Sequence, residues 1–244
     1  MTIPTEPITV PDQVHELARG ADLVCVWHND YGGLTFRATG AGEPFYIKWG
    51  PRNLEFTLRD EAERMLWARR WLRVPQVLDH GEDDTHEWIV TAAIEGLSAV
   101  DPRWAQEPAT AVRAVGEALR AMHDTLPVPE CPWDWSVPSR IANAERRGID
   151  VPAALREAPS VDRLVVCHGD ACMPNTLIGE DGHWLAHVDL ALLGTADRWA
   201  DIAVASMSTE WNYGPGWEDA LIEAYGIEPD RERLAYYRDL WNAT

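Results

Sequence analysis

The feature that most constrains this chain is a set of polar residues set among short apolar segments. Asp170 and Asn175 lie five positions apart in one stretch, and Asp189 follows a little later. Three apolar segments around them have the length and composition of β-strands: 164–167, 176–178 and 184–188. The chain must therefore fold so that a loop after one strand carries an acid and an amide, while a second acid ends another strand.

The spacing inside that loop is chemically specific. Residues 168–175 read HGDACMPN, which fits the H-x-D-x-x-x-x-N spacing of a kinase catalytic loop. In such a loop the Asp accepts the proton of the attacking hydroxyl and the Asn binds Mg²⁺. Mg²⁺ prefers carboxylate, amide and phosphate oxygens. The pattern predicts Asp170 as the catalytic base and Asn175 and Asp189 as Mg²⁺ ligands.

The distribution of cations singles out Lys48. It is the one lysine among 21 basic residues, the others being arginines. It lies in a predicted strand, 44–49, at the position of the kinase lysine that holds nucleotide phosphates. A lysine is a compact point charge, which arginine does not replace. Glu61, in a helix predicted for 54–72, is the expected partner of Lys48 in a nucleotide-binding ion pair.

The periodicity of the whole chain divides it in two. The pattern of residues 1–94 predicts a short helix, an antiparallel sheet and one long helix. The pattern of residues 95–244 predicts mostly helices around a small hairpin. Together these elements make an α+β protein. We interpret 1–94 as a nucleotide-binding lobe and 95–244 as a catalytic and substrate lobe. The predicted strands of the first part are 21–28, 34–39, 44–49, 77–79 and 87–92. The predicted helices are 10–19 and 54–72, then 109–123, 139–147, 152–157, 200–207, 218–225 and 231–241.

The charge balance indicates the kind of partner. The formal net charge is −19, which disfavours nucleic acid and anionic membranes and favours a cationic ligand. No apolar run of 18 residues predicts a membrane span, and residues 1–10 do not resemble a secretion signal. The four cysteines form no paired motif, so we expect reduced thiols and a cytoplasmic location, with no obligate protein partner evident.

Several longer stretches resemble the aminoglycoside phosphotransferases, above all those that act on a 3′-hydroxyl. The likeness runs from about Leu23 to the C-terminus. Its most specific parts are HGDACMPNTLI at 168–178 and VDLALLGTADRWADIA at 188–203. Further matches are DEAERMLW at 60–67, VPQVLDHG at 74–81, CPW at 131–133 and RLAYYRDLWNAT at 233–244. The resemblance implies a two-lobed protein-kinase-like fold, with a small antiparallel-sheet N-lobe, one long helix and a mostly helical C-lobe.

The resemblance also implies roles for particular residues. It gives Asp170, Asn175, Asp189, Lys48 and Glu61 the roles already predicted from spacing, with Mg²⁺ as cofactor and ATP or GTP as donor. It further implies an adenine-stacking aromatic, a hinge over 91–94 that reads the base edge, a phosphate-covering loop over 29–35, and an aspartate that braces the catalytic loop. The residues concerned are Tyr46 for stacking, Ala92 and Ile94 in the hinge, and Asp201 for the brace.

The chain departs from the family pattern near the acceptor site. Ala191 and Leu192 stand where the family often has Gly then Arg, the segment 140–168 is short, and the acidic C-terminal tail is replaced by WNAT. Acidic residues that remain candidates for contacts with an ammonium group of the acceptor are Glu145, Asp150, Glu157 and Glu210. The acceptor is expected to be a small, cationic, hydroxylated molecule.

Other functions remain open at the level of sequence. The acceptor could be another hydroxylated antibiotic or a metabolite, and a non-catalytic, pseudokinase-like binding module would share the fold. A zinc hydrolase built on His183 and His187 with Cys167, His168 and Cys172 has poor ligand spacing. A P-loop NTPase and a serine hydrolase both lack their motifs.

Overall fold

The computed structural model describes residues 8–29, 31–40, 42–52 and 55–244. These residues form two compact units. The first comprises the described residues of Met1–Arg70 together with Pro75–Ile94, and the second comprises Trp71–Val74 and Glu95–Thr244. The predicted assignment of one function to 1–94 and another to 95–244 stays a prediction.

The first unit is an antiparallel sheet with two helices. The five strands lie in the order β1-β2-β3-β5-β4. On β3 the side chains alternate between the two faces, so Ile47 is fully buried while its neighbours Tyr46 and Lys48 are partly exposed. The elements are α1 (Asp12–Ala18), β1 (Asp22–His28), β2 (Leu34–Thr39), β3 (Phe45–Pro51), α2 (Leu58–Ala68), β4 (Val77–Glu82) and β5 (His86–Ala92).

Helix α2 is shorter than the predicted helix over 54–72. Thr57 caps its N-terminus: the Thr57 hydroxyl accepts a hydrogen bond from Asp60 N, and the Asp60 carboxylate accepts one from Thr57 N. This reciprocal pair satisfies two backbone donors and sets the first turn at Leu58, which helical periodicity alone does not locate. Leu54, where the predicted helix began, lies outside the described residues.

The second unit is mainly helical and has the larger core. The apolar face of the amphipathic α4 packs against α7, and the first eleven residues of α6 are all buried. Gly116 permits the close packing of α4, because an added Cβ would lie 2.7 Å from Ala224 Cβ. The helices are α3 (Pro102–Ala105), α4 (Pro108–Thr125), α5 (Val137–Arg146), α6 (Trp199–Tyr213), α7 (Glu218–Tyr225) and α8 (Arg231–Ala243).

Five short strands in this unit frame the polar loop. They form a three-stranded sheet in the order β6-β8-β9 and a separate pair, β10-β7. Neither β6 nor β10 was predicted, and the predicted helix 152–157 is wrong, because Ala153–Arg156 is a single 3-10 turn. The strands are β6 (Leu97–Ser98), β7 (Leu164–Cys167), β8 (Thr176–Ile178), β9 (Trp184–His187) and β10 (Gly194–Asp197).

Within the described ranges, no helix combines the length and the apolar character that a bilayer span requires.

Candidate active site

The loop after β7 brings Asp170 and Asn175 into direct contact. Asn175 Nδ2 donates to the Asp170 carbonyl oxygen at 2.9 Å and to Asp170 Oδ2 at 3.1 Å. Because the amide nitrogen is turned toward Asp170, the Asn175 Oδ1 atom is left as an acceptor for another partner. The five-residue spacing therefore closes a compact loop with an acid and an amide oxygen on it.

The second oxygen of the Asp170 carboxylate has a different environment. Asp170 Oδ1 is buried and has no N–H or O–H donor of the described residues within hydrogen-bond distance, although the Cys172 thiol lies within reach of the carboxylate. A buried carboxylate oxygen without such a donor is costly unless a ligand completes it. Burial raises the pKa of the Asp170 carboxyl, and the negative charge of nearby Asp189 adds to the rise. Both features are typical of a carboxylate that meets a proton during a reaction.

Asp189 is held beside the loop in an uncommon backbone conformation. Its φ is 66°, in the left-handed region that aspartate tolerates better than most residues. The preceding residue, Val188, donates its N–H to the Asn175 carbonyl oxygen at 3.0 Å, and its carbonyl oxygen contacts His168 Nε2 at 3.0 Å. Two bonds thus fix the segment of Asp189 to both ends of the loop that carries Asp170.

Asp201, at the start of α6, holds the N-terminal part of the same loop. Its carboxylate accepts from His168 N at 2.6 Å and from Gly169 N at 3.0 Å. His123 Nε2 lies 3.0 Å from Asp201 Oδ2, and the other nitrogen of His123 contacts the Tyr225 hydroxyl at 2.8 Å. Although burial opposes ionisation, these hydrogen bonds keep the pKa of Asp201 below its ordinary value. The bracing contacts that the resemblance implied for Asp201 are therefore present.

Sequence reasoning did not single out His123. The sequence shows it only as one residue on the buried face of an amphipathic helix, which is also where an ordinary core histidine would lie. With Cys167 and Asp201 it forms a compact group of potential metal ligands, all buried. Hydrogen bonds already engage each of the three, since Cys167 donates to the Asp197 carbonyl oxygen. This group is a support for the loop.

The residues of the zinc interpretation do not form a centre of the predicted kind. His183 is exposed, whereas His187 is buried with its Nε2 3.3 Å from the Ala118 carbonyl oxygen. Burial lowers the pKa of His187 to about 3, so it is neutral at ordinary pH. Its ring packs edge-on against His168, as a core side chain does.

In the first unit, Lys48 and Glu61 form the expected ion pair. Lys48 Nζ lies 2.7 Å from Glu61 Oε1; the Glu61 side chain is 1% exposed, and that of Lys48 is 25% exposed. A buried carboxylate requires a partner, and the Lys48 ammonium is that partner, on a side chain that stays partly exposed. The pairing matches the prediction, whereas its role with nucleotide phosphates stays a prediction.

The other predicted nucleotide contacts lie on neighbouring segments of the first unit. Tyr46 on β3 is paired with Thr91 on β5, and Ala92 ends β5 and donates its N–H to the Gln76 carbonyl oxygen at 2.9 Å. Ile94 follows just beyond the strand, at the end of this unit. The structure thus gathers Tyr46 and the 91–94 segment at one end of the β3-β5 pair.

The predicted phosphate-covering loop, 29–35, is organised by Asn29. The Asn29 Oδ1 atom accepts from Gly33 N at 2.7 Å and from Tyr31 N at 3.0 Å. Asp30 in this loop lies outside the described residues. An Asn that bonds to nearby backbone N–H groups is a common way to stabilise a turn.

Of the four acidic candidates for substrate contacts, Asp150 is exposed beyond α5, and the other three have different surroundings. Glu145 is exposed on α5 and forms an ion pair with Arg156 at 2.6 Å, and Glu157 is exposed after the 3-10 turn. Glu210 is exposed near the end of α6, the helix whose first turn carries Asp201. Of the three, Glu210 stands on the helix that contacts the loop carrying Asp170. All three remain predictions as ammonium contacts.

Known proteins resemble this chain over most of its length. The family model described as phosphotransferase enzyme family matches residues 27–237. An aminoglycoside 3′-phosphotransferase from Streptomyces fradiae is 35% identical over 251 residues, covering 87% of this chain and 92% of that protein.

Two solved structures are similar over nearly their whole length. The crystal structure of an aminoglycoside-3′-phosphotransferase of type VIII has a TM-score of 0.78 at 27% identity and covers 96% of this chain and 98% of its own. The structure of APH(3″)-Id from Streptomyces rimosus in complex with ADP and streptomycin has a TM-score of 0.69 at 25% identity, and the match covers 95% of this chain and 98% of the other.

These likenesses confirm the predicted resemblance and the α+β protein-kinase-like fold. They also confirm the predicted reaction class, transfer of a phosphoryl group. The family model matches residues 27–237, and one relative is more than 30% identical over most of both chains. These two findings establish the family of the chain. The chain belongs to the phosphotransferase enzyme family.

Proposed function

We propose that this enzyme transfers the γ-phosphoryl group of a nucleoside triphosphate to the 3′-hydroxyl of an aminoglycoside. The observation that carries the proposal is the Asp170 carboxylate, with one oxygen held by Asn175 and the other buried without an N–H or O–H donor of the described residues. A substrate hydroxyl is the group that would complete it. Relatives named for the aminoglycoside 3′-position support the choice of acceptor.

Asp170 would act as the base. It would accept the proton of the 3′-hydroxyl as that oxygen bonds to the γ-phosphorus, while the bond between the γ-phosphorus and the bridging oxygen breaks. The electron pair of that bond leaves with the nucleoside diphosphate, and Asp170 later returns its proton to solvent. Since the transition state is loose, most of the rate gain comes from placement and charge compensation.

Asn175 and Asp189 fit a Mg²⁺ ion. Their contribution would be one amide oxygen, left as an acceptor by the orientation of Asn175, and one carboxylate; both are oxygen donors of the kind that Mg²⁺ prefers. When bound, Mg²⁺ supplies positive charge that neutralises the phosphate oxygens. The left-handed backbone at Asp189 sets the direction of its carboxylate, and the bond between Val188 and Asn175 keeps the two residues side by side.

The first unit would bind the nucleotide. Lys48, oriented by Glu61, would meet the α- and β-phosphates, with Tyr46 on the adenine and the backbone near Ala92 and Ile94 on the base edge. ATP or GTP would satisfy this arrangement, and the ADP complex of the Streptomyces rimosus relative supports an adenine nucleotide.

The negative charge of the chain suits a polycationic acceptor. A net charge of −19 attracts ammonium groups at long range, and the exposed carboxylates Glu145, Glu157 and Glu210 are the proposed contacts. Glu210 is favoured among them by its place on α6. We also propose a cytoplasmic location, where nucleotide is available and thiols stay reduced, since all four cysteines are thiols.

A panel of acceptors tests the proposal. With Mg²⁺ and ATP or GTP, we expect nucleoside diphosphate release to be stimulated by aminoglycosides that carry a 3′-hydroxyl. A 3′-deoxy aminoglycoside of otherwise equal structure is the matched control and should not stimulate release. The position of the phosphate is then read from the phosphorus NMR spectrum of the product. If both the 3′-hydroxyl aminoglycoside and its 3′-deoxy analogue stimulated release, the enzyme would phosphorylate a different hydroxyl.

Two other results would replace the proposed acceptor. Stimulation by a different hydroxylated antibiotic or by an amino alcohol, without any by aminoglycosides, would identify a kinase for another small molecule. Saturable Mg²⁺-nucleotide binding without turnover on any acceptor would favour a non-catalytic, pseudokinase-like binding module.

Replacing Lys48 tests the nucleotide side. We expect Lys48→Met to lower kcat/KM for the nucleotide on the order of 100-fold, the loss typical when one charge-stabilising donor is removed. Lys48→Arg should rescue little, because the guanidinium fork does not reproduce a point charge at the same distance. Arg59→Met, on an exposed position of α2, is the matched control and should leave nucleotide kinetics unchanged. If Lys48→Met and the control had equal kcat/KM for the nucleotide, Lys48 would not be a nucleotide-binding residue.

A further inference from the structure

Helix α6 contacts the catalytic loop at three successive points on one face. Asp201, Val204 and Ser208 have the spacing i, i+3 and i+7, which places them in one stripe along a helix. Asp201 binds the backbone of His168 and Gly169. Further along α6, Val204 belongs to the same buried apolar cluster as Cys172. The loop therefore runs along α6 in the same direction as the helix.

At the third point, the Ser208 hydroxyl accepts a hydrogen bond from the far side of the loop. The Ser208 Oγ atom accepts from the backbone N–H of Met173 at 2.9 Å, and Ser208 is only 1% exposed. Met173 begins the 3-10 turn that ends at Asn175. Asp170 thus lies between two backbone anchors, Asp201 before it and Ser208 after it.

The environment of the Ser208 hydroxyl fixes its position. Besides Met173, it accepts from Asn212 Nδ2 at 3.2 Å, and the same nitrogen donates to the Ser208 carbonyl oxygen at 2.8 Å. A hydroxyl has two acceptor sites and one proton to donate, so both acceptor sites are occupied. The thiol of Cys172 lies within hydrogen-bonding reach of this hydroxyl.

We propose that Ser208 is a positioning residue that holds the segment after Asp170 in its reactive arrangement. The proposal rests on the proposed function of Asp170 as the base. Without the hydroxyl, the buried N–H of Met173 loses its acceptor, and the backbone of 172–175 has to shift to find another. That shift moves Asn175, and through its side chain the carboxylate of Asp170, away from the acceptor hydroxyl.

Ser206 provides a matched control on the same helix. It is also 1% exposed, and its hydroxyl donates to the Ala203 carbonyl oxygen at 2.7 Å and accepts from Arg238. Ser206→Ala therefore removes a buried hydroxyl of equal size whose bonds go to its own helix and to α8. A purely structural effect of losing such a hydroxyl should be alike in the two variants.

The test compares kcat and KM for Ser208→Ala and Ser206→Ala. We expect Ser208→Ala to lower kcat by roughly 10- to 100-fold, since a misplacement of ~1 Å can cost about 100-fold, with KM for nucleotide and acceptor near the wild-type values. Ser206→Ala should keep the wild-type kcat. Equal kcat values in the two variants would overturn the proposal. If Ser208→Ala does not fold, Ser208→Cys, which keeps the size and weakens the acceptor, takes its place with the same expectation.

A second readout does not depend on the acceptor. Amide hydrogen exchange at Met173 should be faster in the Ser208 variant than in wild type and in Ser206→Ala, because only the Ser208 variant frees that N–H. Unchanged protection of Met173 would also overturn the proposal. Failure of the proposed function would appear differently, as wild-type protein that lacks turnover with aminoglycosides while the difference in Met173 exchange persists.

Discussion

Asp170→Asn is expected to reduce phosphoryl transfer by about 100- to 10,000-fold, the range over which a positioned general base contributes. Asparagine has nearly the same shape, so the loop should keep its backbone bonds, while the oxygen that accepts the hydroxyl proton is lost or made much less basic. The measurement is kcat with a saturating aminoglycoside, together with the dissociation constant of Mg²⁺-nucleotide. The latter should change little, because Lys48 and Glu61 lie in the other unit and Asn175 and Asp189 are retained.

The matched control for that variant is Asp230→Asn. Asp230 caps α8 through a hydrogen bond from Arg233 N, and asparagine is an equally good cap, so this substitution tests the loss of one carboxylate away from the loop. It should keep wild-type kcat. Loss of nucleotide binding and turnover together in Asp170→Asn would assign Asp170 a structural role.

Contacts within the candidate site follow from the sequence where the spacing along the chain fixes them. Asp170 and Asn175 are five residues apart in a loop between strands, so their contact is local and follows from the motif. Lys48 and Glu61 are thirteen residues apart on a strand and the next helix, and they form the expected pair at 2.7 Å. In both cases the pattern of residue types along the chain indicates which two side chains lie close together.

Predictions failed where a short element depends on distant parts of the chain. Strand β6 has two residues, and β10 has four; each is a strand only because it pairs with β8 or β7. Neither LS at 97–98 nor GTAD at 194–197 has the run of apolar residues that marks the equally short strands 164–167 and 176–178. The left-handed backbone of Asp189 is equally invisible, since glycine is the usual sign of that conformation.

The supports of the candidate site were also beyond sequence reasoning. His123 reaches Asp201 across 78 positions, and Ser208 reaches Met173 across 35. A histidine or a serine on the buried face of a helix is common, and the sequence alone gives no sign of which one has a polar partner. Glu145 and Glu157 show that an acidic residue type alone does not identify a substrate contact. Exposed glutamates are numerous, and Glu145 already has an arginine partner.

Gly169→Ala is expected to disable the loop altogether. Gly169 has a φ of 87°, and an added Cβ would lie 2.6 Å from Leu192 Cβ and closer still to the Leu192 carbonyl oxygen. The backbone therefore cannot keep both its conformation and its contact with the segment after Asp189. We expect the free energy of unfolding to fall by roughly 2–4 kcal/mol, combining backbone strain with overpacking, and kcat to fall below detection.

Gly148→Ala separates the two causes of that loss. Gly148 also has a positive φ, 79°, but nothing lies within 4 Å of an added Cβ, so this variant carries the backbone strain without the clash. The free energy of unfolding of this variant should fall by about 1 kcal/mol, and its activity should be unchanged. Urea unfolding and kcat are measured for both variants. If Gly169→Ala matched Gly148→Ala in stability and activity, the close approach of Gly169 to Leu192 would have no part in holding Asp170, and the support of the base would rest on Asp201 and Ser208 alone.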